Sequence, residues 1–203
     1  MNALMLAVSA GRCAIIRLLL TNAATAGQVV EVAKNGDDAL IIAARAGHYL
    51  PLALILADPM ATILLDGETP QRANALTLAA QNGHTHAVEA LLSAMTVQQA
   101  ARCDNQGRNA LMLAAKNGHA ETVCLLLAHP KTHGLAVAVD CQGLNALMIA
   151  ASRGKYVVVE ALLSGGNWPA QVECIPKRNF EILVAKVLNL DRTMGGCSWV
   201  CLL

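Results

Sequence analysis

Residues 109 to 127 read NALMLAAKNGHAETVCLLL, and nearly the same wording returns four more times in the chain. It stands as NALMIAASRGKYVVVEALL from Asn145, NALTLAAQNGHTHAVEALL from Asn74, DALIIAARAGHYLPLALIL from Asp38 and NALMLAVSAGRCAIIRLLL from Asn2. The starting positions 2, 38, 74, 109 and 145 are 36, 36, 35 and 36 residues apart. Self-similarity at such a period means a stack of like units.

Each unit reads as two short helices. The segment Ala110 to Lys116 is apolar almost all round, which suits a helix buried between two neighbours. A glycine then interrupts every copy, as Gly11, Gly47, Gly83, Gly118 and Gly154, where a helix ends in the left-handed region. In the second helix Val123, Leu126 and Leu127 share one face, and Glu121 and Thr122 are expected outside it. Asn2, Asn74, Asn109 and Asn145, with Asp38 in the second copy, are residues that cap a helix start. The stretches Asp104 to Gly107 and Asp140 to Gly143 have the chemistry of tight turns. Helices this short are marginal in isolation, so stacking on neighbours must supply their buried surface.

This order of turn, helix, turn, helix resembles an ankyrin repeat array. The family pattern D-x-x-G-x-T-P-L-H-x-A-A-x-x-G-H, followed by V-x-x-L-L, is met by Asp104, Gly107, Leu111, Ala114, Ala115, Gly118, His119, Val123, Leu126 and Leu127. The fifth copy meets it at Asp140, Gly143, Leu147, Ala150, Ala151, Gly154, Leu162 and Leu163. One departure runs throughout: T-P-L-H is replaced by N-A-L-M, which removes the family's Thr-to-His hydrogen bond and leaves asparagine capping in part of its role. The period also exceeds the usual 33, placing the extra residues between the second helix and the next turn. The resemblance implies an all-α solenoid of about five helix-turn-helix units with turn or hairpin fingers over residues 1–165. Residues 166–193 are read as a degenerate closing repeat or capping helix, and 194–203 as a flexible tail.

Composition narrows the function. Fifteen basic and 14 acidic residues leave a net charge of +1, which gives no global field for nucleic acid or a membrane. Seven scattered cysteines lack the dense, even spacing of a secreted disulfide scaffold and point to the reducing cytoplasm. The opening MNALMLAVSAG has no basic segment before its apolar run and repeats at 109 and 145, so it reads as a unit and not as a signal peptide. No uninterrupted apolar stretch approaches the roughly 18 to 20 residues of a membrane-spanning helix.

By resemblance, ankyrin arrays bind partners with their turn tips and with the first helix just past its Ala-Ala pair, on a concave face. The matching tip residues are Lys34, Asn35, Asn105, Gln106, Arg108 and Gln142. The matching helix residues are Arg45, Gln81, Asn82, Lys116, Asn117 and Arg153. This basic and amide-rich lining implies another protein with an acidic surface as partner, and hence an adaptor or scaffold. The runner-up is a nucleic-acid-binding module using Lys34, Arg45, Arg108, Lys116 and Arg153, against which the near-zero net charge and the lack of interleaved aromatics count.

Catalytic, cofactor and metal sites are not expected. His84 with His86, and His129 with His133, are pairs where zinc needs three or four convergent ligands. Recurrent His48, His84 and His119 suggest a local hydrogen bond at the turn between helices. A Cys-His hydrolase would need an orienting third group that nothing specifies, and no phosphate-loop, G-x-S-x-G or kinase signature is present. The first helix begins without a preceding turn, so Leu4, Met5, Leu6 and Val8 are expected to form an open apolar flank. That flank implies a longer array or self-association through the first unit.

Overall fold

The computed structural model of the chain describes residues 1–22 and 26–164. The expected closing helix at 166–193 and tail at 194–203 lie outside the described residues. Five helix pairs follow one another: α1 (Ala3–Ser9) with α2 (Cys13–Thr21), and α3 (Ala39–Ala46) with α4 (Tyr49–Leu56). After a short α5 (Ala61–Leu64) come α6 (Ala75–Gln81) and α7 (Thr85–Ala94), then a short α8 (Val97–Ala100). The last pairs are α9 (Ala110–Asn117) with α10 (Ala120–Ala128), and α11 (Ala146–Ser152) with α12 (Tyr156–Ser164). Among the described residues there is no strand, so the fold is an all-α solenoid. Inner helices α1, α3, α6, α9 and α11 pack in one row, and outer helices α2, α4, α7, α10 and α12 in a second.

Why helices this short hold is visible at their ends. The Asn2, Asp38, Asn74, Asn109 and Asn145 side chains accept the N–H of Met5, Ile41, Thr77, Met112 and Met148 at 2.8, 2.7, 2.9, 3.0 and 2.9 Å. Such a cap stabilises a helix by about 1 kcal/mol. At the other end the five recurrent glycines all have positive φ, from 65° at Gly154 to 90° at Gly118. Between the ends, Leu111, Met112, Ala114 and Ala115 of α9 are buried, as are Leu40, Ile41, Ala43 and Ala44 of α3. Burying one such leucine or isoleucine contributes about 1.5–3 kcal/mol.

The expected unit of turn, helix, turn, helix is incomplete. A third short helical segment follows the outer helix: 26–30, α5, α8 and the 3-10 turn Pro130–Leu135. These segments absorb the residues in excess of 33. They also give the capping asparagine a second task, because its amide donates to their carbonyls. Asn2 reaches Gln28 at 2.8 Å, Asn74 reaches Gln99 at 3.0 Å and Asn109 reaches Leu135 at 3.0 Å.

Two further expectations change. Thr122 is buried, not outside, because its hydroxyl meets that of Thr85 in the preceding unit at 3.0 Å. Leu4, Met5 and Val8 are also buried, by α3 and the 26–30 segment, so of the expected flank Leu6 alone stays open, joined by Ile15 and Leu18. Polar bridges beside the short third segments also join neighbouring units. Arg102 pairs with Asp66 and Glu68 at 2.9 and 3.0 Å, while the Lys131 ammonium donates to the Leu92 and Met95 carbonyls at 2.6 and 2.7 Å.

Candidate functional site: the finger face

The fingers are four turns, each closed by a pair of main-chain hydrogen bonds, the wider of which joins the two ends of the turn. Ala33 donates to Asp37 at 2.8 Å, Thr69 to Ala73 at 2.9 Å, Asp104 to Arg108 at 3.0 Å and Asp140 to Leu144 at 2.9 Å. Asp104 Oδ1 also accepts the N–H of Gln106 and Arg108, both at 2.9 Å, which holds the tip rigid. Successive fingers are linked where Asn105 donates to the Gln71 carbonyl and Cys141 to that of Gln106, each at 3.0 Å. Positive φ at Gly36, Gly107 and Gly143 turns the chain, and in the third unit Arg72 does so with φ 60°. Lys34, Asn35, Asn105, Gln106 and Gln142 are exposed at the tips, beside exposed Arg45, Gln81, Asn82, Asn117 and Arg153 on the inner helices.

The structure separates these expected binding residues into committed and uncommitted groups. Arg45 is held by the buried Asp37 carboxylate, Nη2 to Oδ1 at 2.7 Å, and Asn35 donates to the same carboxylate at 2.7 Å. Arg108 is held by Asp104 at 2.9 and 2.6 Å; burial pushes the Asp104 pKa up, but that pairing and the N–H groups of Arg108 and Gln106 together bring it below its ordinary value. Asn82 and Asn117 tie units together: their amides donate to the Arg45 and Gln81 carbonyls at 3.0 and 2.6 Å. Of Arg45, Lys116 and Arg153, Arg45 already carries a partner, the Asp37 carboxylate.

The recurrent histidines have a role other than a local one. His48, His84 and His119 donate through Nε2 to the carbonyls of Ser9, Arg45 and Gln81, at 3.2, 3.2 and 3.0 Å, one unit upstream. His129 Nδ1 accepts the Lys131 N–H, and the exposed His86 ring meets Tyr49 edge to face at 6.1 Å between centroids. Tyr49, His86 and Glu121 line a cleft of about 450 Å³ at the turns between inner and outer helices. The Cys103 thiol is pushed above its ordinary pKa, by burial and then by Asp104, which disfavours the thiolate a nucleophile needs.

Where fourth and fifth units meet, the fingers and inner helices enclose a cleft of about 380 Å³. Its walls are Gln106, Arg108, Lys116, Asp140, Cys141, Gln142, Ser152 and Arg153, over a floor of Leu144 and Ile149. Burial lowers the Lys116 pKa, and the Arg108 and Arg153 charges lower it further against a smaller opposing pull from Asp104.

Phased units, glycine-ended inner helices and stacked fingers agree with one comparison. The model of the family described as ankyrin repeats (3 copies) matches residues 57–135 and 76–172. The chain belongs to the ankyrin repeat family. Its first ankyrin unit and most of the second precede the match, yet they pack into the same two rows as the others. No curated protein shows a significant match to the chain. Ankyrin repeats are generally protein-protein interaction modules. No described helix of this one is long and apolar enough to cross a membrane.

The sequence carried a sign of the Arg108 pairing, since Asp104 precedes it by four residues around a turn. It carried none of the Asn82 and Asn117 ties, whose acceptors lie 37 and 36 residues upstream.

Proposed function

We propose that the chain is a noncovalent protein-binding module, an adaptor or scaffold of the cytoplasm, that holds its partner on the finger face. The observation that supports this reading is where uncommitted polar groups gather. Lys34, Asn105, Gln106, Gln142, Lys116 and Arg153 make no side-chain hydrogen bond among the described residues, and they share that face. They project from turns and helices that the stack fixes, so little ordering entropy opposes binding. The nucleic-acid alternative loses Arg45 and Arg108 to Asp37 and Asp104, which shortens the basic track it requires.

Photo-crosslinking from Gln106 and Gln142 in cytosolic extract tests the reading, with Glu89 on outer helix α7 as the control position. A discrete protein adduct from the two finger positions, competed away by uncrosslinked chain, is the expected result. Equal adducts from Glu89, or none from the fingers, would sink it.

A further inference from the structure

The junction of the fourth and fifth ankyrin units is built differently from the others. The Arg45 carbonyl receives Asn82 and His84, and the Gln81 carbonyl receives Asn117 and His119. The corresponding residues of the fifth unit are Arg153 and Lys155. Among the described residues no side chain bonds to the Lys116 carbonyl. Two residues that elsewhere bind the stack together are here cationic, and Arg153 is left exposed across the cleft from Lys116.

We propose that this cleft is a receptor site for carboxylate side chains on an acidic segment of a partner protein. The inference rests on the protein-binding reading and narrows it to one place and one chemistry. Three cations line the cleft, of which Arg108 is answered by Asp104. The one carboxylate in the wall, Asp140, is turned to its own finger, where Oδ1 accepts the N–H of Gln142 and Leu144 at 2.9 Å each. Lys116 and Arg153 remain without an ion pair among the described residues. Burial first, and then the Arg108 and Arg153 charges, depress the Lys116 pKa against a smaller pull from Asp104, so the two arginines place it in a positive field.

Charge complementarity selects the ligand. A guanidinium fork receives a carboxylate through two parallel hydrogen bonds, and a lysine adds a point charge. Leu144 and Ile149 below them displace water and strengthen the attraction. Gln106 and Gln142 at the rim offer amides to a peptide backbone. The volume, about 380 Å³, stands at the low end of the roughly 300–1,000 Å³ of ligand pockets, room for a short extended segment and not for a folded surface. The neighbouring junctions lack this field, because Gln81 is neutral and Arg45 is paired with Asp37.

The test is a titration of the isotopically labelled full chain with N-acetyl hexaglutamate amide at about 0.15 M salt, followed by amide chemical shifts. The hexaglutamine peptide and a dodecathymidylate strand are the comparators. Saturable shifts grouped at Gln106, Lys116, Gln142, Ser152 and Arg153 are expected with hexaglutamate. Arg153→Asn with Lys155→His should weaken binding by about tenfold or more. That pair installs the residues of the third and fourth units, so an intact fold accompanies the loss. Arg17→Gln, an exposed cation on outer helix α2, should leave binding unchanged. Equal shifts with hexaglutamine, shifts scattered over all lysines, tighter binding of the oligonucleotide in the cleft, or full affinity in the double variant would overturn the proposal. Finger crosslinks to a partner that persist after such a result would leave the module reading standing and remove only this site.

Discussion

His119 sits over Gly83 of the preceding unit, donating past it to the Gln81 carbonyl at 3.0 Å. A Cβ on Gly83 would come within 2.7 Å of the imidazole Cγ, while the same addition at Gly154 would meet none of the described residues within 4 Å. Both glycines have positive φ, 74° and 65°. Gly154→Ala should therefore show the backbone penalty alone, about 1 kcal/mol, and Gly83→Ala about 2 kcal/mol or more because the histidine bridge is displaced too. Urea unfolding of the two variants measures the difference, and equal losses would show that the ring contact contributes nothing.

Asp38 occupies the cap that asparagine fills in the other four units, and it is only 2% exposed. Burial raises its pKa from 3.8 to about 6, the Asp37 charge adds to the rise, and the Ile41 and Leu40 N–H groups oppose it. The folded chain thus binds more protons than the unfolded chain between those values, so this group's contribution to stability falls as pH rises through them and stays low above. Asp38→Asn should change little near about pH 4 and stabilise by about 1 to 3 kcal/mol near about pH 8. Denaturant midpoints of both chains across that range check the sign. A constant difference would reject it.

Arg72 adopts φ 60° where Gly36, Gly107 and Gly143 stand in the other fingers. A non-glycine residue in that region costs roughly 1–2 kcal/mol, partly offset by the smaller unfolded-state entropy of arginine relative to glycine. The weak 3.9 Å contact of Arg72 with Glu68 adds little, since Arg72 is largely exposed. Arg72→Gly should raise the thermal midpoint by a few degrees in calorimetry, and a fall would mean that the side chain is needed in the third finger.

Leu6, Ile15 and Leu18 are 56%, 50% and 68% exposed, whereas Leu113, Thr122 and Leu125, their counterparts in the fourth unit, are covered or half-covered by α6 and α7. An apolar flank already shaped for a neighbouring unit favours association of two copies through it. Sedimentation velocity should show concentration-dependent dimerisation that Leu6→Glu abolishes. Monomers at every concentration would dismiss this proposal.

What the sequence could disclose depended on distance along the chain. Caps such as Asn109 to Met112 and glycine turns such as Gly118 act within four residues, so a single unit displays them. Packing between units is a different matter. Thr122 reads as outward on its own helix and is buried because Thr85 lies opposite. Asn74 reads as a cap, while its amide also holds the end of α8, 25 residues on. Thr96 and Gln99 form a reciprocal capping box at 2.9 and 3.3 Å that starts α8, a local signal passed over because it lies outside the repeated wording. At the site, Arg45 looked free only because its partner Asp37 belongs to a finger that periodicity alone does not orient.

The side-chain ties between units are unevenly distributed. One histidine joins the first pair of units, an asparagine and a histidine join each of the next two, and the last pair has neither. In a linear array each unit is held by its neighbours alone, so such ties matter junction by junction. They are densest among the second, third and fourth units, to which Arg102 and Lys131 also contribute. Among the described residues the fifth unit is joined to the fourth by main-chain bonding and apolar packing, so the basic cleft lies at the one junction whose walls no side-chain tie pins in place.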